Sequence, residues 1–148
     1  MKQARTLYSQ NESYALAMYS AGLAVECLLR AFTWDRSGEF DGRHNLERLF
    51  GASRILRLAD EANQAVGLSE SEMRSIGNEL RGAMNTVAAL WHNDFRFCSE
   101  QKVRSFLVSL HAYRGMRGDL LKAKALELLE AAQVLVDRGV GLWLSRKK

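Results

Sequence analysis

Apolar residues recur at helical spacing in five segments of the chain, and polar or glycine-containing stretches separate these segments. The first segment runs from about Ser13 to Trp34. A capping box at Ser9–Glu12 fits upstream of it, and a loop follows over residues 36–42. Its apolar positions fall within roughly 120° of arc, as expected of a core-facing helix: Tyr14, Ala17, Met18, Ala21, Val25, Leu28, Leu29 and Phe32.

Four further helices are predicted by the same periodicity. The second begins at Asn45, runs through Ala59 and is interrupted by Gly51. The third opens with a capping box over residues 69–72 and continues to Trp91. The fourth and fifth begin after Ser99 and Asp119, whose side chains suit N-caps, and the fifth ends near residue 143.

One all-α domain accounts for the whole pattern. The chain has 148 residues and no proline, a residue that costs roughly 3 kcal/mol inside a helix, and no segment alternates with a period of two as a strand would. We therefore predict an antiparallel up-and-down bundle of about five helices over residues 1–148. The core spans about residues 9–144 and is followed by a short basic tail.

Composition and short motifs limit the cellular compartment and the kinds of site that the chain is expected to have. Cys27 and Cys98 form no disulfide framework or zinc spacing, which favours a reducing cytoplasm. The longest apolar stretch, residues 15–32, is interrupted by Glu26 and Arg30, so we predict no membrane span and no signal peptide. Motifs for metals, nucleotide phosphates and nucleophilic elbows are absent, so we predict no metal and no cofactor.

Basic residues are concentrated in the last third of the chain. The net charge is +4, and residues 101–148 carry ten basic and four acidic groups. Fifteen of the 21 basic residues are arginines, whose planar guanidinium suits phosphate oxygens. This distribution favours a polyanionic partner without identifying a site.

Three polar groups carry candidate chemistry, and each has a structural alternative. Glu26 shares the edge of the first helix with Gly22 and Arg30, and either organises a polar notch or forms an ordinary ion pair one turn apart. Arg104 and His111 are seven residues apart, so on one helix they would share a face, and either act on RNA without metal or line a bundle seam.

The third group lies where a loop meets the second helix. His44 there either meets an anion or belongs to a capping cluster. Farther along, the aromatic-rich stretch from Trp91 to Phe97, which includes Arg96, either stacks bases or plugs the core.

The order of three segments resembles the HEPN superfamily of small helical bundles. These are a first-helix pattern of small residues, Glu and Arg over residues 19–30, a His-x-Leu-x-x-Leu element over residues 44–49, and an aromatic–Arg–aromatic segment over residues 91–97. The match covers roughly residues 14–110. It implies an all-α bundle, usually a homodimer, in proteins tied to RNA handling, toxin–antitoxin or defence systems, or paired with a nucleotidyltransferase or antitoxin.

The resemblance supports two functions and leaves a third open. Residues 91–97 are similar to the element of HEPN branches that bind nucleotides or nucleic acid, which implies a binding module with Arg43, His44 and Arg96 near the ligand and Glu26 as organiser. Arg104 and His111 fit the R-x(4–6)-H motif of metal-independent HEPN ribonucleases at its upper limit, although Ser105 departs from it. The third class is an assembly or antitoxin-like subunit.

Overall fold

The computed structural model describes residues 1–38, 42, 44–113 and 118–145 of the chain. These residues form α-helices and one 3₁₀ helix without any strand, so the all-α class is confirmed. The α-helices are α1 (Lys2–Ser9), α2 (Tyr14–Ser37), α3 (Leu46–Ser53), α4 (Ile55–Ala65), α5 (Glu70–Leu90), α6 (Glu100–Ser109) and α7 (Leu120–Ser145), and the 3₁₀ helix is Asn93–Phe97.

Helix α2 is the centre of the fold. It packs against α1, α3, α6, α7 and the 3₁₀ helix, while α5 packs against α3, α4 and α7. Its predicted apolar stripe is the core stripe, and only Tyr14 and Leu28 of its eight members are partly exposed. Half of its most apolar 18-residue window is buried within the fold.

By length and composition alone, α2 could also cross a membrane. A buried core helix and a signal sequence meet the same criterion, so the predictions of no membrane span and of a cytoplasmic setting stay predictions.

The predicted caps at Ser69 and Ser99 start their helices, whereas the one at Ser9 does not, and α1 lies in a segment for which the sequence predicts no helix. The Ser69 hydroxyl and its backbone N–H both donate to the Glu72 carboxylate, and these bonds, led by the hydroxyl, lower the pKa of that carboxyl. Ser99 accepts from the Lys102 N–H and starts α6. The Ser9 capping box is wrong because Ser9 ends α1, and Ser13 caps α2 instead.

Helix α2 and helix α6 begin side by side. The Glu100 carboxylate, in the first turn of α6, accepts from the Ser13 hydroxyl at 2.7 Å and from the Ala15 N–H at 2.9 Å. A single negative charge therefore lies at the positive ends of both helix dipoles.

The predicted second helix is divided into α3 and α4. Arg54 adopts the left-handed conformation between them, with φ of +53°. The Ser53 hydroxyl fixes the turn, donating to the Phe50 carbonyl and accepting from the Ile55 N–H. The turn lets Leu49 and Ile55 both be buried, so tertiary packing overrides a single continuous helix.

Candidate functional site

Glu26 is a buried carboxylate on the central helix. Its side chain is 4% exposed beside the apolar stripe of α2. Arg30, one turn later, converges on it with two nitrogens, Nε at 2.7 Å and Nη2 at 2.6 Å from Oε1. A buried carboxylate is stable only with such charge and hydrogen-bond compensation, so this ion pair belongs to the core of the fold.

His44 reaches the same carboxylate from the connection that precedes α3. Its Nδ1 lies 3.0 Å from both Glu26 oxygens, while the imidazole itself is 43% exposed. The next residue, Asn45, accepts a hydrogen bond from the Arg48 N–H and so starts α3 immediately after the histidine. The Nδ1 edge of the ring is therefore held by the core, while 43% of the side chain stays exposed.

A cleft of about 300 Å³ lies beside this histidine. Its walls are the start of α3 (His44, Asn45, Leu46 and Glu47) and the end of α5 (Ala88 and Trp91). We call it the His44 cleft. Its volume is at the lower end of the range seen for small-molecule sites.

Trp91 fixes the distance between the end of α5 and α2. The indole Nε1 donates to the Tyr19 carbonyl at 3.2 Å, and its ring lies so close to Gly22 that an added Cβ would overlap it. The expected close approach at Gly22 is therefore present. Glu26 and Arg30 form the ion pair one turn apart that was one of the two readings of this helix edge, and the polar notch stays a prediction.

The other predicted ligand residues are placed differently. Arg43 lies outside the described residues. Arg96 is exposed on the 3₁₀ helix and does not line the His44 cleft. The Arg96 guanidinium carbon lies 4.5 Å from the centroid of the Phe97 ring, which is a cation–π contact. Phe97 itself is 77% exposed. Phe95 is the core plug of the stretch, packed edge-to-face on Phe106.

Arg104 and His111 do not share a helix face. Helix α6 ends at Ser109, and His111 is left-handed, with φ of +54°. The His111 N–H binds the Val108 carbonyl and the Ala112 N–H binds the Leu107 carbonyl, which is a Schellman motif with histidine where glycine is usual. Because α6 ends before His111 and the backbone turns there, the expectation that Arg104 and His111 share a helix face is wrong.

Arg104 is engaged by the start of α7. Its Nη2 donates to both Asp119 oxygens at 3.0 and 3.1 Å. Asp119 also accepts from the Leu121 and Lys122 N–H groups and so caps α7, as predicted. The Lys122 N–H and, to a smaller extent, Arg104 lower the pKa of Asp119. A catalytic role for Arg104 and His111 stays a prediction.

Sequence reasoning found Glu26 and His44 separately and missed the contact between them. No periodicity connects two residues eighteen positions apart, across a loop. Asn45 and Ala88 were missed as cleft residues for the same reason. Within residues 1–38, 42, 44–113 and 118–145, no three His, Cys, Asp or Glu side chains lie close enough together to hold a metal ion.

Comparison with protein-family models, with curated proteins and with solved structures yields no match to this chain. The HEPN resemblance therefore rests on the three sequence segments alone.

Proposed function

We propose that this chain is a HEPN-like binding module whose His44 cleft takes the ribose-phosphate portion of a nucleotide or of single-stranded RNA. One observation carries the proposal: the buried Glu26 carboxylate holds a partly exposed histidine at the edge of a cleft that Trp91 also lines. The Nδ1 of His44 lies against Glu26 while 43% of its side chain stays exposed, so the carboxylate fixes the orientation of a ring that a ligand can reach. A fixed polar group at the edge of a partly apolar cleft is typical of ligand sites.

A second surface extends the site along a polynucleotide. Arg96 and Phe97 lie five and six residues after Trp91, on the exposed 3₁₀ helix. An exposed ring under a guanidinium provides both elements of single-strand binding, a stacking surface and a positive charge. The arginine-rich composition supports a polyanion, although five of the ten basic residues in 101–148 lie outside the described part.

The test is fluorescence anisotropy with a labelled 12-nucleotide oligouridylate at several salt concentrations. We expect His44→Gln to weaken binding about three- to tenfold, the effect of losing one hydrogen bond. His92→Gln is the matched control, because it makes the same change at an exposed histidine that does not line the His44 cleft, and it should leave the affinity unchanged. Competition by uridine monophosphate separates a nucleotide site from an RNA site. Equal affinities for wild type and His44→Gln contradict the proposal.

Arg96 is tested in the same assay by its salt dependence. If its guanidinium contacts a phosphate, Arg96→Ala weakens binding at every sequence and lowers the slope of log affinity against log salt by about 1. If Arg96→Ala binds RNA with the wild-type affinity and slope, Arg96 does not contact the RNA. The proposal for the His44 cleft is then unaffected.

The same resemblance extends the proposal to assembly. A homodimer, a nucleotidyltransferase or antitoxin partner, and a cytoplasmic location in a toxin–antitoxin or defence system are the settings in which HEPN domains act. Light scattering on the purified chain tests the homodimer, and purification from the native host identifies a partner.

The ribonuclease alternative uses other residues and has its own test. Arg104 is held by Asp119 at one end of the α6–α7 connection, and His111 lies within that connection, stacked on Tyr113. Incubation with structured RNA in EDTA decides the question. Cleavage that is lost in His111→Ala supports the alternative, whereas no cleavage, or cleavage that persists in the variant, ends it.

A further inference from the structure

Glu26 determines which nitrogen of His44 carries the proton. Both carboxylate oxygens lie 3.0 Å from Nδ1. An ionised carboxylate only accepts hydrogen bonds, so Nδ1 must be the donor. In a neutral imidazole the remaining nitrogen, Nε2, then has a lone pair and no hydrogen.

Arg30 and His44 share the Glu26 carboxylate. Two guanidinium nitrogens bind Oε1, and the Arg30 side chain is only 13% exposed. The carboxylate therefore accepts from both neighbours, and in the neutral imidazole Nε2 is left as an oriented acceptor.

The other described side chains of the His44 cleft include both acceptors and a donor. The indole N–H of Trp91 is occupied by the Tyr19 carbonyl, and Glu47 contributes a carboxylate. The Asn45 amide oxygen accepts from the Arg48 N–H, and its NH2 group can donate. At His44 Nε2 itself, a hydroxyl can donate to the lone pair, whereas a phosphate oxygen, which only accepts, cannot.

We propose that His44 Nε2 accepts a hydrogen bond from a ribose hydroxyl, so that the His44 cleft selects ribose over sugars that lack the 2′-hydroxyl proton. This inference rests on the proposed function and names its specificity-determining residue. Glu26 is the positioning residue, because it acts on the ligand only through the tautomer of His44. The 2′-hydroxyl is the group by which proteins distinguish RNA from DNA.

The experiment compares two oligonucleotides that differ in one group. A 12-nucleotide oligouridylate and its 2′-fluoro counterpart have similar sugar pucker, but only the first has a hydroxyl proton. We expect the wild-type chain to bind the ribose form about three- to tenfold more tightly. His44→Gln, a change at a partly exposed side chain, should bind the two forms with affinities within about twofold of each other, while His92→Gln keeps the wild-type preference.

Nitrogen-15 NMR of the histidines gives a readout that a merely structural role would not produce. The wild-type chain should show the Nδ1–H tautomer for His44. In Glu26→Gln the amide can donate to Nδ1 while its oxygen still accepts from Arg30, so the spectrum should change to the Nε2–H tautomer.

The outcomes separate this inference from the proposed function. Equal wild-type affinity for both oligonucleotides, or an Nε2–H tautomer in the wild type, overturns the ribose selectivity and leaves the binding proposal standing. No binding of either oligonucleotide or of uridine monophosphate overturns both. A preference for the ribose form that His44→Gln abolishes supports both.

Discussion

Trp91 lies against Gly22 so closely that α2 has no room for a side chain at this position. The contact joins the end of α5 to the middle of the central helix, one turn before Glu26. It therefore sets one wall of the His44 cleft relative to the residue that orients His44. A glycine inside a helix normally destabilises it relative to alanine, and here the lost side chain is what admits the indole.

Gly22→Ala should lower the free energy of unfolding by about 1–3 kcal/mol, because the overlap with the indole outweighs the gain in helix propensity. Gly82→Ala is the matched control. It lies within α5 with open space around the added Cβ, so it should stabilise the fold by about 0.5–1 kcal/mol. Urea denaturation measures both. A stabilised Gly22→Ala variant would contradict the packing described here.

The Glu26–Arg30 pair should matter far more to stability than an exposed pair of the same spacing. Glu26→Ala removes a buried carboxylate that binds two nitrogens of the Arg30 guanidinium and Nδ1 of His44, and should cost about 3 kcal/mol. Arg57 and Glu61 form the control, since they are also one turn apart but more than half exposed, and Glu61→Ala should change stability by at most about 0.5 kcal/mol. If urea denaturation gives similar losses of unfolding free energy for Glu26→Ala and Glu61→Ala, Glu26 is not a buried part of the core.

The sequence predicted those parts of the fold whose causes are local. The stripe of α2 and the caps at Ser69, Ser99 and Asp119 depend on residues within a few positions of one another, so their spacing alone indicates them. The breaks at Arg54 and His111 could not be predicted in this way. Each places a non-glycine residue in a left-handed conformation, for which the residue type gives no signal.

The site shows the same division between local and long-range causes. The pairing of Glu26 with Arg30 follows from helical spacing and could be proposed from the sequence. The contact of Glu26 with His44 depends on how the connection before α3 folds back onto α2, and no local pattern encodes that path. The cleft walls formed by α3 and α5 depend on long-range packing in the same way.

The left-handed backbone at His111 predicts a stabilising substitution. A side chain in this conformation costs about 1 kcal/mol or more, and glycine is the residue that usually ends a helix in a Schellman motif. His111→Gly should therefore raise the free energy of unfolding by about 0.5–1 kcal/mol. His92→Gly is the control, because His92 has an extended backbone with φ of −137°. Glycine there removes no unfavourable conformation and should not raise the free energy of unfolding. Thermal and urea denaturation should agree, and a destabilised His111→Gly variant would contradict the assigned backbone.

Asp119 predicts a dependence of stability on pH with a definite sign. Its pKa is lowered in the folded chain, chiefly by the Lys122 N–H and further by Arg104. The charged form is therefore favoured by folding. The contribution is complete above the unfolded pKa of about 3.9 and is lost as the pH falls through the lower folded value. Because the side chain is 46% exposed, the effect is modest, about 0.5–1 kcal/mol.

Two substitutions separate the charge of Asp119 from its role as a helix cap. Asp119→Asn keeps an oxygen that accepts from the Leu121 and Lys122 N–H groups but loses the charge, so its deficit relative to wild type should be largest above about pH 5 and should disappear toward about pH 3. Asp119→Ala loses the cap as well and should be about 1 kcal/mol less stable than Asp119→Asn at every pH. Urea denaturation from pH 3 to 7 measures both differences. If the deficit of Asp119→Asn is the same at both ends of that range, the carboxylate contributes nothing through its charge and α7 is held by the cap alone.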